Sequence, residues 1–189
     1  MQVFSNHYLM RDICGINCNF SNEKCAMEEL WYVLKLRIQP DQSVPHWVFV
    51  ACAHHGNIQF AEWLTANQAQ GWPDVIGWAA KSGHFDMVKW LFENRKEACE
   101  QCEMDYAARG GNLDIVKWMY ENMVQNKSLR GNVCAESAIA SAAEYGHFEI
   151  MDWLFKRTKV SDTFFKDLIN NNYNQKVVKW VLENDPELQ

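Results

Sequence analysis

Proline is scarce, with four among 189 residues, and glycine is no more than nine. Such a composition excludes a collagen-like or Pro/Gly-rich disordered chain. Long apolar runs are missing too. The longest, WVFVACA from Trp47 to Ala53, falls far short of the ~20 residues that span a bilayer as a helix, so no membrane segment is expected. Positive charge is not in excess: 18 Lys and Arg face 24 Asp and Glu, for a formal net charge of −6. A nucleic-acid binder carries a basic face, and here the two signs are interleaved, which argues against that class. The start, MQVFSNHYLMRDICGINCNF, has no basic leader followed by an apolar run, so no secretory signal is expected. The expected location is intracellular, cytoplasmic or nuclear. Seven cysteines, an odd number, then read as reduced thiols buried as small hydrophobes. Sequence signatures of chemistry are also lacking: there is no Gly-rich phosphate loop, no GxSxG and no HExxH.

What the chain does contain is a repeat. Trp63, Trp90, Trp118, Trp153 and Trp180 stand 27, 28, 35 and 27 residues apart. Seven residues before the first four lies a glycine: Gly56, Gly83, Gly111 and Gly146. Small pairs precede each glycine: Cys52-Ala53, Ala79-Ala80, Ala107-Ala108 and Ala142-Ala143. A fifth unit departs from the pattern, with Ile169-Asn170 and Tyr173 in the corresponding slots. The 35-residue gap holds a polar insertion, Val124 to Val133, which reads as a longer surface loop. Residues 1–45 read as an irregular helical N-terminal cap, with Ser21 or Asn22 as an N-cap for a helix-like stretch over Glu23 to Arg37. The units fall at about 46–72, 73–99, 100–133, 134–160 and 161–189.

Each unit reads as two helices. The first centres on the small pair and stops at the glycine, a residue that tolerates positive φ at a helix end. Residues three, six and ten positions after the glycine are polar: Asp86, Lys89, Glu93; Asp114, Lys117, Glu121; Glu149, Asp152, Lys156. At 3.6 residues per turn they share an arc of roughly 60°. Most of the remaining second helix is apolar, more than one helix pair can bury alone. Stacking the units in series solves this, and predicts an all-α solenoid. The Trp ladder then packs from repeat to repeat, the alternative being a stack for a ligand.

These residues resemble the ankyrin repeat. AAKSGHFDMVKWLF follows its core pattern almost letter for letter, AARGGNLDIVKWMY and AAEYGHFEIMDWLF follow closely, and CAHHGNIQFAEWLT is a looser match. The likeness runs from about Pro45 to Asn184, with Trp where the ankyrin pattern usually has Leu. The usual TPLH opening is absent, and the period is shorter than the usual ~33. Stubby inter-repeat loops are therefore expected in place of projecting fingers.

The resemblance implies a non-enzymatic protein–protein interaction module, binding a protein partner through the concave face of the first helices. By that likeness the variable slots flank the small pair: Ala51 and His54, Trp78 and Lys81, Tyr106 and Arg109, Ser141 and Glu144. Trp, Tyr and Arg are enriched at interface hot spots, so Trp78, Tyr106 and Arg109 stand out as a partner site. The alternative is that the two rings simply pack between first helices. A different class of function rests on Cys99 and Cys102, whose CxxC spacing suits a redox- or metal-responsive regulator. Yet no second ligand pair accompanies them. His84 and His147 follow the repeat glycine and are expected to hydrogen-bond near a helix start, in service of the fold. No catalytic residue, metal or cofactor is expected. The polar terminal unit, with Asn170 to Asn172 and Gln175, reads as a solubilising cap, and a monomer is expected.

Overall fold

A computed structural model describes Trp31, Val44, residues 46–67, 75–94, 103–125, 131–158, 160, 164, 168 and 175–184. Two compact units divide the chain. One comprises Met1–Val44 with Glu62–Gln70, the other Pro45–Ala61 with Gly71–Gln189. The N-terminal cap inferred over residues 1–45 lies outside the described residues, apart from Trp31 and Val44.

The architecture is an all-α repeat solenoid, and no strand occurs among the described residues. The helices with described bounds run α1 (His46–His54), α2 (Ile58–Ala66), α3 (Val75–Lys81), α4 (Phe85–Asn94), α5 (Met104–Arg109), α6 (Leu113–Gln125), α7 (Gly131–Tyr145), α8 (Phe148–Phe155) and α9 (Gln175–Asn184). Odd-numbered α1 to α7 are first helices, and even-numbered α2 to α8 are second helices. In the larger unit the first helices pack in file: α1 on α3, α3 on α5, α5 on α7. Of the polar insertion, residues 126–130 lie outside the described residues, and the two ends are helical. Helix α6 runs through Gln125 and α7 already begins at Gly131. The described ends of the insertion, 124–125 and 131–133, extend these two helices, because packing on neighbours overrides the weak local signal of a polar stretch.

Every first helix of the four glycine-bearing units ends in the same way. The glycines take φ between 65° and 80°, a region L-residues avoid. In the second unit Gly83 N–H donates to Ala80 O and His84 N–H to Ala79 O, at 3.2 and 3.0 Å. The same two bonds recur at Gly56/Asn57, Gly111/Asn112 and Gly146/His147. This is a Schellman ending, and the small pair supplies both accepting carbonyls. The small pairs are also the packing seam. Ala79, Ala80, Ala107 and Ala108 are fully buried, since a missing side chain lets neighbouring helices approach. Ala108→Leu is accordingly expected to overpack the seam and cost about 1–3 kcal/mol in urea unfolding, with an unchanged midpoint speaking against close packing there.

The second helices bury the positions four, five and eight after the glycine: Phe60, Ala61, Leu64; Met87, Val88, Leu91; Ile115, Val116, Met119; Ile150, Met151, Leu154. Each large apolar side chain buried this way contributes roughly 1.5–3 kcal/mol. The Trp slot is half-buried at each of its five occurrences. The later units are joined there by aromatic edges, since Trp118, Trp153 and Trp180 each pack on a ring two positions beyond the preceding Trp. The ring centroids are 5.2 Å apart for Phe92–Trp118, 5.5 Å for Tyr120–Trp153 and 5.0 Å for Phe155–Trp180, all edge-on. Edge-to-face geometry at this distance is favourable beyond area burial alone. Four residues after the Trp, Asn67, Asn94 and Asn122 donate their side-chain amides to the Trp backbone carbonyls at 2.7–2.8 Å.

A further tie crosses from one unit to the next within the stack. His84 Nε2–H donates to His54 O at 2.8 Å, and His147 Nε2–H to Arg109 O at 3.2 Å. Asn112 Nδ2 donates to Ala80 O at 2.7 Å and to Lys81 O at 3.1 Å. The residue after each of Gly83, Gly111 and Gly146 thus reaches a carbonyl left open at the end of the previous first helix, namely His54 O, Lys81 O and Arg109 O. The histidines serve the fold as expected, but at the preceding repeat's helix end rather than at their own helix start. Asn57, in the first unit, caps its own second helix instead: its Oδ1 accepts from Phe60 N–H at 2.9 Å.

Candidate functional site

The slots flanking the small pairs lie three residues apart, so both members sit on one face of the last turn. While the small pair faces the neighbouring helix, the flanking residues line a strip along the file of first helices. His54, Trp78 and Tyr106 form its floor. The His54 and Trp78 ring centroids are 6.4 Å apart, nearly perpendicular, and Trp78 and Tyr106 are 6.3 Å apart with a tilt of 54°. Trp78 and Tyr106 are half-buried, and His54 is exposed.

Glycine at 77 makes this close arrangement possible. A Cβ on Gly77 would stand 3.0 Å from the Tyr106 ring, so the ring rests against the backbone of α3. Over the rings lie the strip's own cations. Lys81 Nζ is 5.4 Å from the Trp78 ring centroid and Arg109 Cζ is 5.3 Å from that of Tyr106. Both distances are within the range of cation–π attraction.

Arg109 is also anchored from below. Its Nη2 stands 3.4 Å from Asp105 Oδ2, and its Nε–H donates to Ser141 Oγ at 3.4 Å. Ser141 is only 6% exposed. It therefore holds Arg109 in place and offers no open surface, in contrast to the exposed Glu144 one turn away. At the other end, Ser82 Oγ lies 2.6 Å from His54 Nδ1. Burial, then the nearby His84 and Lys81, depress the affinity of His54 for a proton below the ordinary value of 6.5.

Asp105 is the buried carboxylate of the strip. Burial pushes its carboxyl above the usual 3.8, opposed by Arg109 and by the Tyr106 N–H, which donates to Oδ1 at 2.9 Å. A raised carboxyl means the folded state holds its proton more tightly than the unfolded chain does. Its favourable contribution is complete below 3.8 and is lost as pH rises through the folded value. Asp105→Asn keeps an acceptor for Tyr106 and removes the buried charge. It is expected to raise the thermal midpoint at neutral pH, with the gain vanishing below pH 3.8; a lower midpoint at neutral pH would instead mean that attraction to Arg109 outweighs the cost of burying the carboxylate.

Sequence reasoning picked out Trp78, Lys81, Tyr106, Arg109 and Ser141, the last as a contact residue where it is a support, and missed Gly77 and Asp105. Gly77 and Asp105 stand beside Trp78 and Tyr106 in the chain; Gly77 gains its role from Tyr106 on the neighbouring helix, and Asp105 from Arg109 one turn on along its own. Asn112 had a visible signal, as the occupant of a recurring slot after the glycine.

Cys99 and Cys102 lie outside the described residues. Cys52 is described and buried; its thiol donates to Asn57 O at 3.2 Å, and burial pushes its pKa up to about 12. Such a thiol forms no nucleophilic thiolate near neutrality. Among the described residues no group of three or more His, Cys, Asp or Glu is arranged to hold a metal ion. No helix among them is long and apolar enough to cross a membrane.

Residues 76–119 match the family model described as ankyrin repeats in many copies. The matched stretch runs from the second residue of α3 into the first half of α6, and includes Trp78, Lys81, Tyr106 and Arg109. A search of curated proteins found no match for the chain.

Proposed function

For this chain, an ankyrin-repeat-like protein, we propose that the strip of first-helix residues captures a protein partner on the concave face of the stack, without enzymatic chemistry. Ankyrin repeats are protein–protein interaction modules. The single observation that carries the specific reading is the continuous row from His54 through Trp78 to Tyr106 and Arg109, formed by residues from three successive repeats. Rings of this kind supply large rigid contact area at small entropic cost, and Arg is the charged residue most common at hot spots. Trp78, Tyr106, Lys81 and Arg109 make the contacts in this reading, with His54 and Glu144 at its two ends. Ser141 positions Arg109.

The test is affinity capture from a native extract with three forms of the full chain: wild type, Trp78→Ala with Lys81→Glu, and Lys89→Glu with Glu93→Lys on a second helix. The expected result is a set of proteins bound by wild type and by the second-helix variant, and lost with the strip variant. Proteins that bind all three forms equally would rule out the strip as the capturing surface.

A further inference from the structure

The chemistry of the strip narrows the partner, provided that the strip is the binding surface proposed above. Its aromatic floor has a pitch. The two centroid separations, 6.4 and 6.3 Å, each correspond to one repeat. Side chains on the same side of an extended peptide recur every about 6.7 Å. On a helix, side chains of one face recur at the third and fourth residue, at separations of about 5–6 Å along a curved surface. Ring-to-ring steps of 6.4 and 6.3 Å therefore match the alternate residues of an extended segment more closely than the turns of a helix.

Charge settles which side chains suit the row. An open aromatic cage would select a partner cation, but the ring neighbourhoods here already hold Lys81 and Arg109. What the strip presents outward is the donors of those two cations. Lys81 is half-buried, and the Arg109 side chain keeps 36% of its surface exposed. The Asp105 and Ser141 contacts engage only part of the guanidinium's fork of donors. Asp105 itself is 9% exposed and is turned to Arg109, so it offers little to a ligand. One repeat further the sign reverses, because Glu144 is exposed.

We propose that the strip binds an extended acidic segment of a partner protein, with carboxylates at two alternate positions meeting Lys81 and Arg109. The protein as a whole carries a net charge of −6, so this cationic stretch is a local exception, and specificity comes from short-range contact. Glu144 rejects a third carboxylate in line with the first two.

A displayed library of linear peptides, selected on the immobilised full-length chain, tests this. Retained peptides are expected to carry Asp or Glu at two positions separated by one residue. Lys81→Glu is expected to weaken a synthetic copy of a retained peptide about tenfold, and exchanging one carboxylate of that peptide for Lys is expected to restore its binding to the variant. The Lys81→Glu chain must keep its wild-type thermal midpoint, and Lys81→Met provides a second variant that keeps the stem and removes the charge. Peptides that depend on Trp78 and Tyr106 but show no acidic pair, or show acids three or four residues apart, would overturn the extended acidic segment and leave the strip as the binding surface. Peptides indifferent to Lys81, Trp78 and Tyr106 alike, or a library from which nothing is retained, would overturn both.

Discussion

Gly110→Ala is expected to destabilise the stack more than any exchange on its exposed surface, although Gly110 itself has an ordinary helical φ of −80°. The reason is steric and comes from the preceding repeat. A Cβ at position 110 would run into the backbone carbonyl oxygen of Lys81 and would stand 2.6 Å from Asn112 Nδ2. The obstacle is backbone, which has no rotamer with which to escape. The second and fourth repeats carry Ser82 and Tyr145 in this slot, each followed two residues later by a histidine, His84 or His147, while the first carries His55 and then Asn57, which caps its own second helix. The third repeat has Asn112 there instead. Asparagine is the shorter side chain, so its amide reaches Ala80 O and Lys81 O only when the turn sits closer to the second repeat, and a side chain at 110 leaves no room for that approach. Overpacking costs about 1–3 kcal/mol, and each hydrogen bond lost adds about 1 kcal/mol. A combined loss of about 2–4 kcal/mol is expected in urea unfolding. Gly110→Ser with Asn112→His copies the second repeat's own Ser82 and His84, and is expected to recover part of the loss. A Gly110→Ala protein as stable as wild type would mean that the repeats are not held at this spacing.

Truncating the aromatic floor is expected to have the largest effect on binding. Removal of a central aromatic hot spot costs at least ~2 kcal/mol, or roughly 30-fold in affinity. Trp78→Ala and Tyr106→Ala should each reach that level for a captured partner, measured by titration calorimetry. Their effects should not add. The rings touch one another at 6.3 Å, and each carries a cation that depends on it, so removing one ring already loosens what the other supports. Tyr106→Phe keeps the ring against Gly77 and should bind almost as wild type does. Both rings are half-buried, so each truncation also weakens the fold, by less than the ~3–5 kcal/mol of a fully buried aromatic. Binding is therefore compared at a temperature where circular dichroism shows each variant folded. Unchanged affinity in both single variants would remove the rings from the interface.

Much of the fold was legible because the repeat imposes steric demands that few residue types meet. Only glycine accepts the positive φ at 56, 83, 111 and 146, and only small side chains fit the seam at Ala79-Ala80 and Ala107-Ala108. Those demands write themselves into the chain as a period. Polar side chains with tertiary partners are harder to read. Asn67, Asn94 and Asn122 recur four residues after Trp as visibly as the glycines precede it, yet a polar residue near a helix end looks like ordinary surface until its carbonyl partner is known. His84 and His147 stood out, but the direction of their hydrogen bonds depends on where the preceding helix ends. Asp105 gave no sign, because its burial is created by α5 packing on α3 and α7. At the insertion between the third and fourth units, composition did not show that its two ends, 124–125 and 131–133, are helical. For the candidate strip, the slot pattern named the surface residues Trp78, Lys81, Tyr106 and Arg109. The anchoring of Arg109 by Ser141 required the neighbouring repeat, whereas the Asp105 pair lies four residues back on the same helix.

Hydrogen exchange on the full chain, free and saturated with a captured partner, measures the central claim most directly, namely that successive first helices present one recognition surface. The account predicts slowed exchange over Val75–Lys81, Met104–Arg109 and the C-terminal half of Gly131–Tyr145, with Phe85–Asn94 and Phe148–Phe155 unchanged. Slowed exchange confined to those second helices, with the first helices unaltered, would contradict it.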